Sequence, residues 1–178
     1  MKKYLTKFIC GFVFALITLT AVAQSNEKGS FQLVQWNVLK AMYKINSFVN
    51  EHKKTAQGYV ADPVFKSLVV ATFMPDAYNS VVDQNTTFYI HPRHELLGTK
   101  LSELKNGAEA LRIVQDSITN DRCFRGFYMW IDNQEKYMVV CPLVGKTTDG
   151  YKLYVIYTVY TRSMPDYYLK SLKNAVME

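Results

Sequence analysis

The sequence predicts an α+β domain in which a long N-terminal helix precedes an antiparallel sheet of about five strands, with a helical crossover between strands two and three. Three observations predict this class. Apolar residues recur at helical spacing early in the chain, two short β-type segments flank a turn in the middle, and three strand-like segments follow later. The 178 residues contain no repeat, low-complexity tract or linker that would divide them.

The first 23 residues have the three parts of a secretory signal peptide. Three lysines precede an apolar run from Phe8 to Ala23, which ends in the small residues Ala21-Val22-Ala23. The run is short for a membrane span, which usually needs roughly 20 residues, so we expect cleavage near Ala23 rather than an anchor. Cys10 lies inside the run and gives no sign of lipidation. We therefore expect an exported protein, periplasmic or secreted.

Cleavage leaves 155 of the 178 residues and, because three lysines are removed, lowers the formal net charge from +6 to +3. This length suits one domain with its own core. The weak charge and the absence of a long Lys/Arg run argue against nucleic acid as a partner. No second apolar stretch approaches the length of a membrane span, so the exported domain is expected to be soluble.

Residues 24–30 are polar and predict a flexible tail, and the domain itself is expected to span residues 31–162. Its first helix is predicted by apolar residues at steps of three and four: Phe31, Val34, Val38, Met42, Ile45 and Val49. A second helix is predicted to begin at Asp62-Pro63, an N-cap acid followed by the residue that suits a first turn, and to stop before Pro75.

A hairpin and a crossover follow. Tyr78–Val82 and Thr87–His91 are β-type segments separated by a turn, and Pro92 ends the second because proline has no N–H for a ladder. Helical spacing returns from Leu97 to Thr119.

Three further strands are predicted at Phe127–Ile131, Tyr137–Cys141 and Leu153–Thr161. The last segment has bulky side chains at both odd- and even-numbered positions, which predicts a strand that is covered on both faces. Residues 163–178 are expected to form a short C-terminal tail, with a helix as one alternative.

Cys123 and Cys141 remain after cleavage, in a compartment where disulfides persist. Their midpoint in the sequence is residue 132, at the predicted turn of a hairpin, so antiparallel pairing can place them nearly opposite each other. Disulfide geometry is strict, and the register is known only within a residue or two. A bridge and two buried free thiols therefore both stay open.

The segment from Tyr78 to Pro92 resembles the first two strands of a single Cache domain, a family of PAS-like extracytoplasmic sensory domains. It has a strand starting at tyrosine, a turn containing aspartate and a strand ending in His91-Pro92. The next residues, Gly98-x-x-Leu101, look like the family's step into its crossover helix. The element order agrees over roughly residues 31–162, and the closest match covers about 25 residues.

The resemblance implies a PAS-like sheet with the long helix packed on one face and a small-molecule pocket on the other. Family members usually lie outside the membrane in chemoreceptors and sensor kinases, and often bind small organic acids or amino acids. Here only 16 residues follow Arg162, with no second span and no output domain. We therefore expect either a free binding protein or one that needs an envelope or membrane signalling partner.

Aromatic residues on the predicted strands are the first candidates for ligand contacts, because a buried phenol or indole can orient a ligand through its polar end. These are Tyr89, Tyr128, Trp130, Tyr137, Tyr157 and Tyr160. Arg112 and Arg125 are candidate cations for a ligand carboxylate. The resemblance adds His91. The predicted ligand-binding set is Tyr89, His91, Arg112, Tyr128, Trp130 and Tyr137, and the alternative for each residue is ordinary packing or solvation.

Catalysis, cofactors and metals are not predicted. His91 and His94 have no nearby cysteine or acid cluster to complete the three or four ligands that a metal needs. No Gly-x-Ser-x-Gly motif and no phosphate-binding loop occur. We expect non-covalent binding of a small metabolite, with an organic acid or amino acid as the candidate class. The main alternative is an interaction subunit with a filled core that docks on an envelope or membrane partner, and a hydrolase is the third.

Overall fold

The computed structural model describes Val34 and residues 36–68, 76–105 and 107–177. The predicted signal peptide over residues 1–23, the predicted tail over residues 24–30 and Phe31 lie outside these ranges. Across the described part of the chain, no helix is both long enough and apolar enough to span a membrane.

The first helix, α1, covers residues 36–52 and turns one apolar face to the sheet, as its spacing predicts. Its fully buried residues include Val38, Ala41, Ile45 and Val49. The helix approaches the sheet closely at Gly145, where an added Cβ would lie 2.8 Å from Val49 Cγ1. Asn46 Oδ1 accepts the backbone N–H groups of Val144 and Gly145, each at 3.1 Å. The contact between helix and sheet is therefore both apolar and hydrogen-bonded.

Two short helices follow, α2 (Ala56–Ala61) and α3 (Pro63–Lys66). The predicted start at Asp62-Pro63 is confirmed, because the Asp62 carboxylate accepts the N–H groups of Val64 and Phe65. Helix α3 is only one turn long, and the separate helix α2 was not predicted. Residues 69–75, over which the second predicted helix extended, lie outside the described ranges.

In the described part of the chain, five strands form one antiparallel sheet in the order β2-β1-β5-β4-β3. Their bounds are β1 Ala77–Asp83, β2 Phe88–Ile90, β3 Phe124–Met129, β4 Glu135–Lys146 and β5 Lys152–Tyr160. The five-stranded α+β fold that the sequence predicts is confirmed. Strand β4 runs five residues further than predicted, since its pairing with β5 continues past a bulge to the pair Lys146–Lys152.

The predicted helix over Leu97–Thr119 is wrong in its first half. The crossover begins with two 3₁₀ turns, His94–Leu96 and Leu101–Glu103, and only then enters α4 (Ala108–Asn120). Between these two turns the backbone is hydrogen-bonded to β2 instead of continuing a helix. Gly98 N–H donates to Phe88 O at 2.8 Å, and Phe88 N–H donates to Thr99 O at 2.9 Å. Gly98 has φ +81°, a left-handed value that ends the first turn and that glycine adopts without strain.

The sheet separates two apolar clusters. One lies against α1, α2 and α3 and includes Tyr89, Tyr137 and Tyr157, and the other lies against α4 and includes Tyr128 and Trp130. Strand β5 is buried from Leu153 to Val159, so the prediction that both of its faces are covered is confirmed.

The segment that the sequence left as a C-terminal tail contains a fifth helix, α5 (Asp166–Met177). Tyr168 is 3% exposed and Leu172 is 1% exposed, and both join the cluster that lies against α1. This helix is therefore part of the folded core.

Cys123 and Cys141 form a disulfide with their Cα atoms 4.2 Å apart. Phe124 pairs with Val140 in the β3–β4 ladder, and one further step of the same register places the two cysteines opposite each other. Of the two alternatives that the sequence left open, the bridge is confirmed. It fixes one end of the β3–β4 hairpin.

Loss of the bridge is expected to lower the free energy of unfolding by about 3 kcal/mol, the value for closing a loop of this size in the unfolded chain. The double variant Cys123→Ser with Cys141→Ala should show this loss in urea denaturation under non-reducing conditions. Wild-type protein in strong reductant should approach the same midpoint. Equal stability of the wild type with and without reductant would contradict a bridge in solution.

Candidate ligand-binding site

A buried lysine lies at one end of the sheet. Lys136, near the start of β4, is 1% exposed, and its Nζ donates to Tyr78 Oη at 3.1 Å. The Nζ atom also lies 4.0 Å from the ring centre of Tyr160, 4.8 Å from that of Trp130 and 5.2 Å from that of Tyr78. Three aromatic rings therefore surround one ammonium group.

The strands bring these residues together because each strand contributes a residue at the same end of the sheet. In the paired register, Lys136 lies between Tyr128 on β3 and Tyr160 on β5. Trp130 directly follows β3, and Tyr78 lies near the start of β1. His91 follows β2, and its ring centre is 5.4 Å from that of Tyr78 and 6.2 Å from that of Trp130. We call Lys136, Tyr78, His91, Tyr128, Trp130 and Tyr160 the Lys136 site.

The Lys136 ammonium forms no ion pair with a carboxylate of the described residues. The acid that influences it is Asp132, but that carboxylate accepts the Tyr160 hydroxyl at 2.9 Å and the Gln134 N–H at 3.1 Å. Burial dominates and lowers the pKa of Lys136 to about 8. The amine is therefore mostly protonated at neutral pH, although its buried surroundings disfavour the charged form.

His91 is neutral and oriented. Its Nδ1 accepts the backbone N–H of Arg93 at 3.0 Å, which leaves Nε2 as the protonated nitrogen of the neutral ring. The side chain is buried, and this burial lowers the pKa of His91 to about 4. At neutral pH the imidazole is therefore a hydrogen-bond donor without charge.

Trp130 and Tyr128 complete the site. Trp130 Nε1 is buried and has no hydrogen-bond acceptor among the described residues. Its ring meets that of Tyr128 edge-on at 5.8 Å. Burial raises the pKa of Tyr128, so its phenol stays neutral, and Thr158 and Tyr78 are its hydrogen-bonding neighbours. The site therefore combines one ammonium and two neutral N–H donors with aromatic walls, which is a suitable environment for a small anion.

The two faces of the sheet divide the predicted ligand-binding set, through strand parity for Tyr128 and Tyr137 and through the register shift between β1 and β2 for Tyr89 and His91. His91, Tyr128 and Trp130 lie together in the Lys136 site. Tyr89 and Tyr137 project from the opposite face of the sheet into the cluster beside α1. There the Tyr89 hydroxyl donates to Asp83 Oδ2 at 3.1 Å, and the Tyr137 ring packs 5.0 Å from that of Phe127.

The two predicted arginines do not join the site. Arg112 is exposed on α4 and pairs with Asp116 at 3.3 Å. Arg125 is exposed on β3. Of the remaining aromatic candidates, Tyr157 lies on the α1 face, while Tyr160 belongs to the Lys136 site.

Sequence reasoning missed Lys136 and did not select Tyr78. The signal for Lys136 was present, because it shares the strand parity of Met138 and Val140, both of which are buried against α4. A lysine at a core-facing position of a strand is an exception to the usual pattern.

Within the described ranges, no group of three or more His, Cys, Asp or Glu side chains is placed so that it could hold a metal ion.

No protein-family profile matches the sequence, and no curated protein sequence matches it. Solved structures do match. The extracellular ligand binding receptor from Desulfohalobium retbaense is 15% identical, with a TM-score of 0.51 over 89% of this chain and 26% of that one. The periplasmic sensory domain of the Campylobacter jejuni chemoreceptor Tlp1 is 17% identical, with a TM-score of 0.42 over 60% of this chain and 34% of that one.

The E. coli DcuS sensor domain is 9% identical, with a TM-score of 0.39 over 86% of this chain and 98% of that one. By contrast, the chain spans only about a third or less of the length of the Desulfohalobium and Tlp1 structures. The chain shares its overall fold with the Desulfohalobium receptor, and its five-stranded antiparallel sheet agrees with the PAS-like fold that the resemblance predicted. At these identities the likeness concerns the fold, and the ligand has to be argued from the site.

Burial of neutral His91 predicts a loss of stability in acid. The unfolded chain binds a proton at this residue near pH 6.5, whereas the folded chain binds it only near pH 4, so protonation favours unfolding. Between these values the free energy of unfolding should fall by at most about 3 kcal/mol on account of His91.

The measurement is urea denaturation from pH 7 to pH 4 for the wild type and for His91→Asn, whose amide oxygen can still accept the Arg93 N–H. The variant should show a shallower pH dependence. His94→Asn, at an exposed position, is the control and should follow the wild type. Identical slopes for all three proteins would contradict the buried neutral state of His91.

Proposed function

We propose that the protein is an exported, non-enzymatic binding domain for a small metabolite with a carboxylate group, such as an organic acid or amino acid, and that this group binds at the Lys136 site. The observation that carries the proposal is the buried ammonium of Lys136, which has no carboxylate partner among the described residues.

A buried charge without a counter-ion is costly, because burial removes its hydration and nothing of opposite sign replaces it. The hydrogen bond to Tyr78 and the three aromatic rings offset part of this cost. A ligand carboxylate would supply the missing charge through a charge-assisted hydrogen bond. Binding energy would then come from completing an interaction that the free protein lacks.

The neutral donors support the same ligand. Trp130 Nε1–H has no acceptor within the described residues, and the His91 ring carries its proton on Nε2. A carboxylate has two oxygens and about four lone-pair directions, so it can accept from several donors together. The walls formed by Tyr78 and Tyr160 favour a flat or apolar part next to the carboxylate.

A sensory role would require that ligand binding changes the structure of a surface to which a partner protein binds. We propose an envelope or membrane signalling protein as that partner, with the ligand acting from the sheet face opposite α1. The extracellular receptor from Desulfohalobium retbaense has this fold and is described as ligand-binding. That description supports the proposal at the level of the fold.

One observation favours a second candidate function. The Lys136 side chain already contacts three aromatic rings, so it fills part of the space that a ligand would use. In that case the domain is an interaction subunit with a filled core, and Lys136 is a structural cation held by the rings. Ligand-binding measurements distinguish the two functions.

The variant Lys136→Met keeps much of the side-chain length and removes the charge. In a thermal-shift panel of organic acids and amino acids, we expect the wild type to be stabilised, by about 2.7 kcal/mol at a hundredfold excess over Kd. Lys136→Met should lose this response and, without ligand, should be more stable than the wild type because a buried charge is gone. Lys146→Met, at an exposed position of the same strand, is the control and should respond like the wild type.

Trp130→Phe sharpens the test, because it keeps an aromatic wall and removes only the indole N–H. We expect roughly tenfold weaker anion binding, the effect of losing about 1.4 kcal/mol. An anion that stabilises Lys136→Met as strongly as the wild type would contradict the site. Silence of the wild type across the whole panel would favour the interaction subunit.

Anion affinity should also fall at alkaline pH. The pKa of Lys136 is lowered to about 8 by burial, so the amine loses its proton as the pH rises through that value. The phenol of Tyr160, whose pKa burial raises to about 12, stays neutral over the same range. Calorimetric titration with any acid that binds should show roughly tenfold weaker binding at pH 9 than at pH 7. An affinity independent of pH would exclude the ammonium as the ligand's counter-ion.

A further inference from the structure

A concave region lies on the same side of the sheet as α4, at the end away from the Lys136 site. It is a surface hollow of about 420 Å³, a size typical of sites for small ligands. The turn between β1 and β2, the 3₁₀ turn Leu101–Glu103 and the exposed side of α4 form its walls. None of the residues of the Lys136 site lines it.

The lining has an unusual composition, because it is polar and uncharged. Its polar residues are amides and hydroxyls from three separate elements: Gln84, Asn85, Thr86, Ser102, Gln115 and Thr119. Leu111 and Ile118, seven residues apart on α4, supply the apolar part. Amides and hydroxyls both donate and accept hydrogen bonds, and no ionised side chain among the lining residues selects for a charged partner.

Thr86 stands out within this lining. Its side chain is 5% exposed, and its Oγ1 has no hydrogen-bond partner among the described residues. Its φ is +67°, whereas a β-branched residue almost never adopts a left-handed backbone. An unmade hydrogen bond and a strained backbone at one residue are both unfavourable, and such residues cluster at ligand sites.

We propose that this hollow binds an uncharged, polyhydroxylated compound of about monosaccharide size. Hydroxyl groups of such a ligand match the amide and hydroxyl side chains of the rim, and its C–H surface packs against Leu111 and Ile118. Thr86 Oγ1 gains a partner in the complex. The ligand is a neutral molecule, and therefore differs in class from the carboxylate assigned to the Lys136 site.

The two sites are independent in space. Tyr78 of the Lys136 site lies at one end of β1, and the turn that lines the hollow follows its other end at Asp83. A strand rises roughly 3.3 Å for each residue, so the seven residues of β1 separate the two sites by about 20 Å. One ligand therefore does not compete with the other for the same atoms.

The experiment uses glucose, galactose, ribose and myo-inositol as probes, with saturation-transfer NMR and thermal unfolding as readouts. We expect at least one probe to show transfer and to raise the Tm of the wild type. Gln115→Trp fills the hollow with an indole and should abolish both effects. Ala108→Trp places the same ring on the exposed face of the same helix, outside the hollow, and should leave both effects intact.

Thr86→Val is the second variant, because valine keeps the shape and the β-branching while removing the hydroxyl. It should fold with stability equal to or above that of the wild type, since the hydroxyl makes no hydrogen bond within the described residues. Probe affinity should fall roughly tenfold, which corresponds to about 1.4 kcal/mol.

Three results would overturn the proposal. The first is that no probe gives transfer or a Tm shift with the folded wild type. The second is that Gln115→Trp and Ala108→Trp respond alike. The third is that Lys136→Met, rather than Gln115→Trp, removes the probe response, because the neutral compound would then bind at the Lys136 site.

Discussion

The central strand β5 is buried along most of its length on both faces, and the other elements are arranged around this constraint. Its odd-numbered residues from Leu153 to Val159 pack towards α1, and Tyr154 and Ile156 pack towards α4. Both neighbouring strands, β1 and β4, pair with β5 over many residues. The register with β5 therefore decides which of their side chains face α1 and which face α4. Each side chain of the sheet is thereby assigned to one of two chemically different layers.

This assignment creates the Lys136 site. Lys136 lies in one row with Tyr128 and Tyr160 only because β3, β4 and β5 pair in the observed register. A slip of one residue would turn Tyr137 towards α4 and Lys136 into the apolar cluster beneath α1. The disulfide between Cys123 and Cys141 lies in the same β3–β4 ladder and holds this register at its far end. The covalent link therefore acts on the geometry of the site as well as on stability.

Unfavourable features occur at both ends of the α4 side of the sheet. At one end, Lys136 keeps a charge in a buried aromatic environment, and Trp130 keeps an unpaired N–H within the described structure. At the other, Thr86 combines a left-handed backbone with a hydroxyl that lacks a partner among the described residues. The cluster beside α1 also contains buried phenols, those of Tyr157 and Tyr168, without a hydrogen-bond partner among the described residues. Unmade hydrogen bonds therefore occur on both faces, whereas the buried ammonium of Lys136 and the left-handed backbone of Thr86 lie on the α4 side.

The sequence by itself determined the elements that depend on local periodicity and turn chemistry. These are the apolar face of α1, the start of α3 at Asp62-Pro63, all five strands and the hairpin that brings the cysteines together. Tertiary structure decided the rest. Residues before α4 form two 3₁₀ turns and bond to β2 instead of continuing one α-helix, and α5 joins the core. Parity separates Tyr137 from Tyr128 and Trp130, and the register shift between β1 and β2 separates Tyr89 from His91. Lys136 meets Tyr78 across 58 residues of sequence, a contact that no local pattern encodes because it depends on how strands pair.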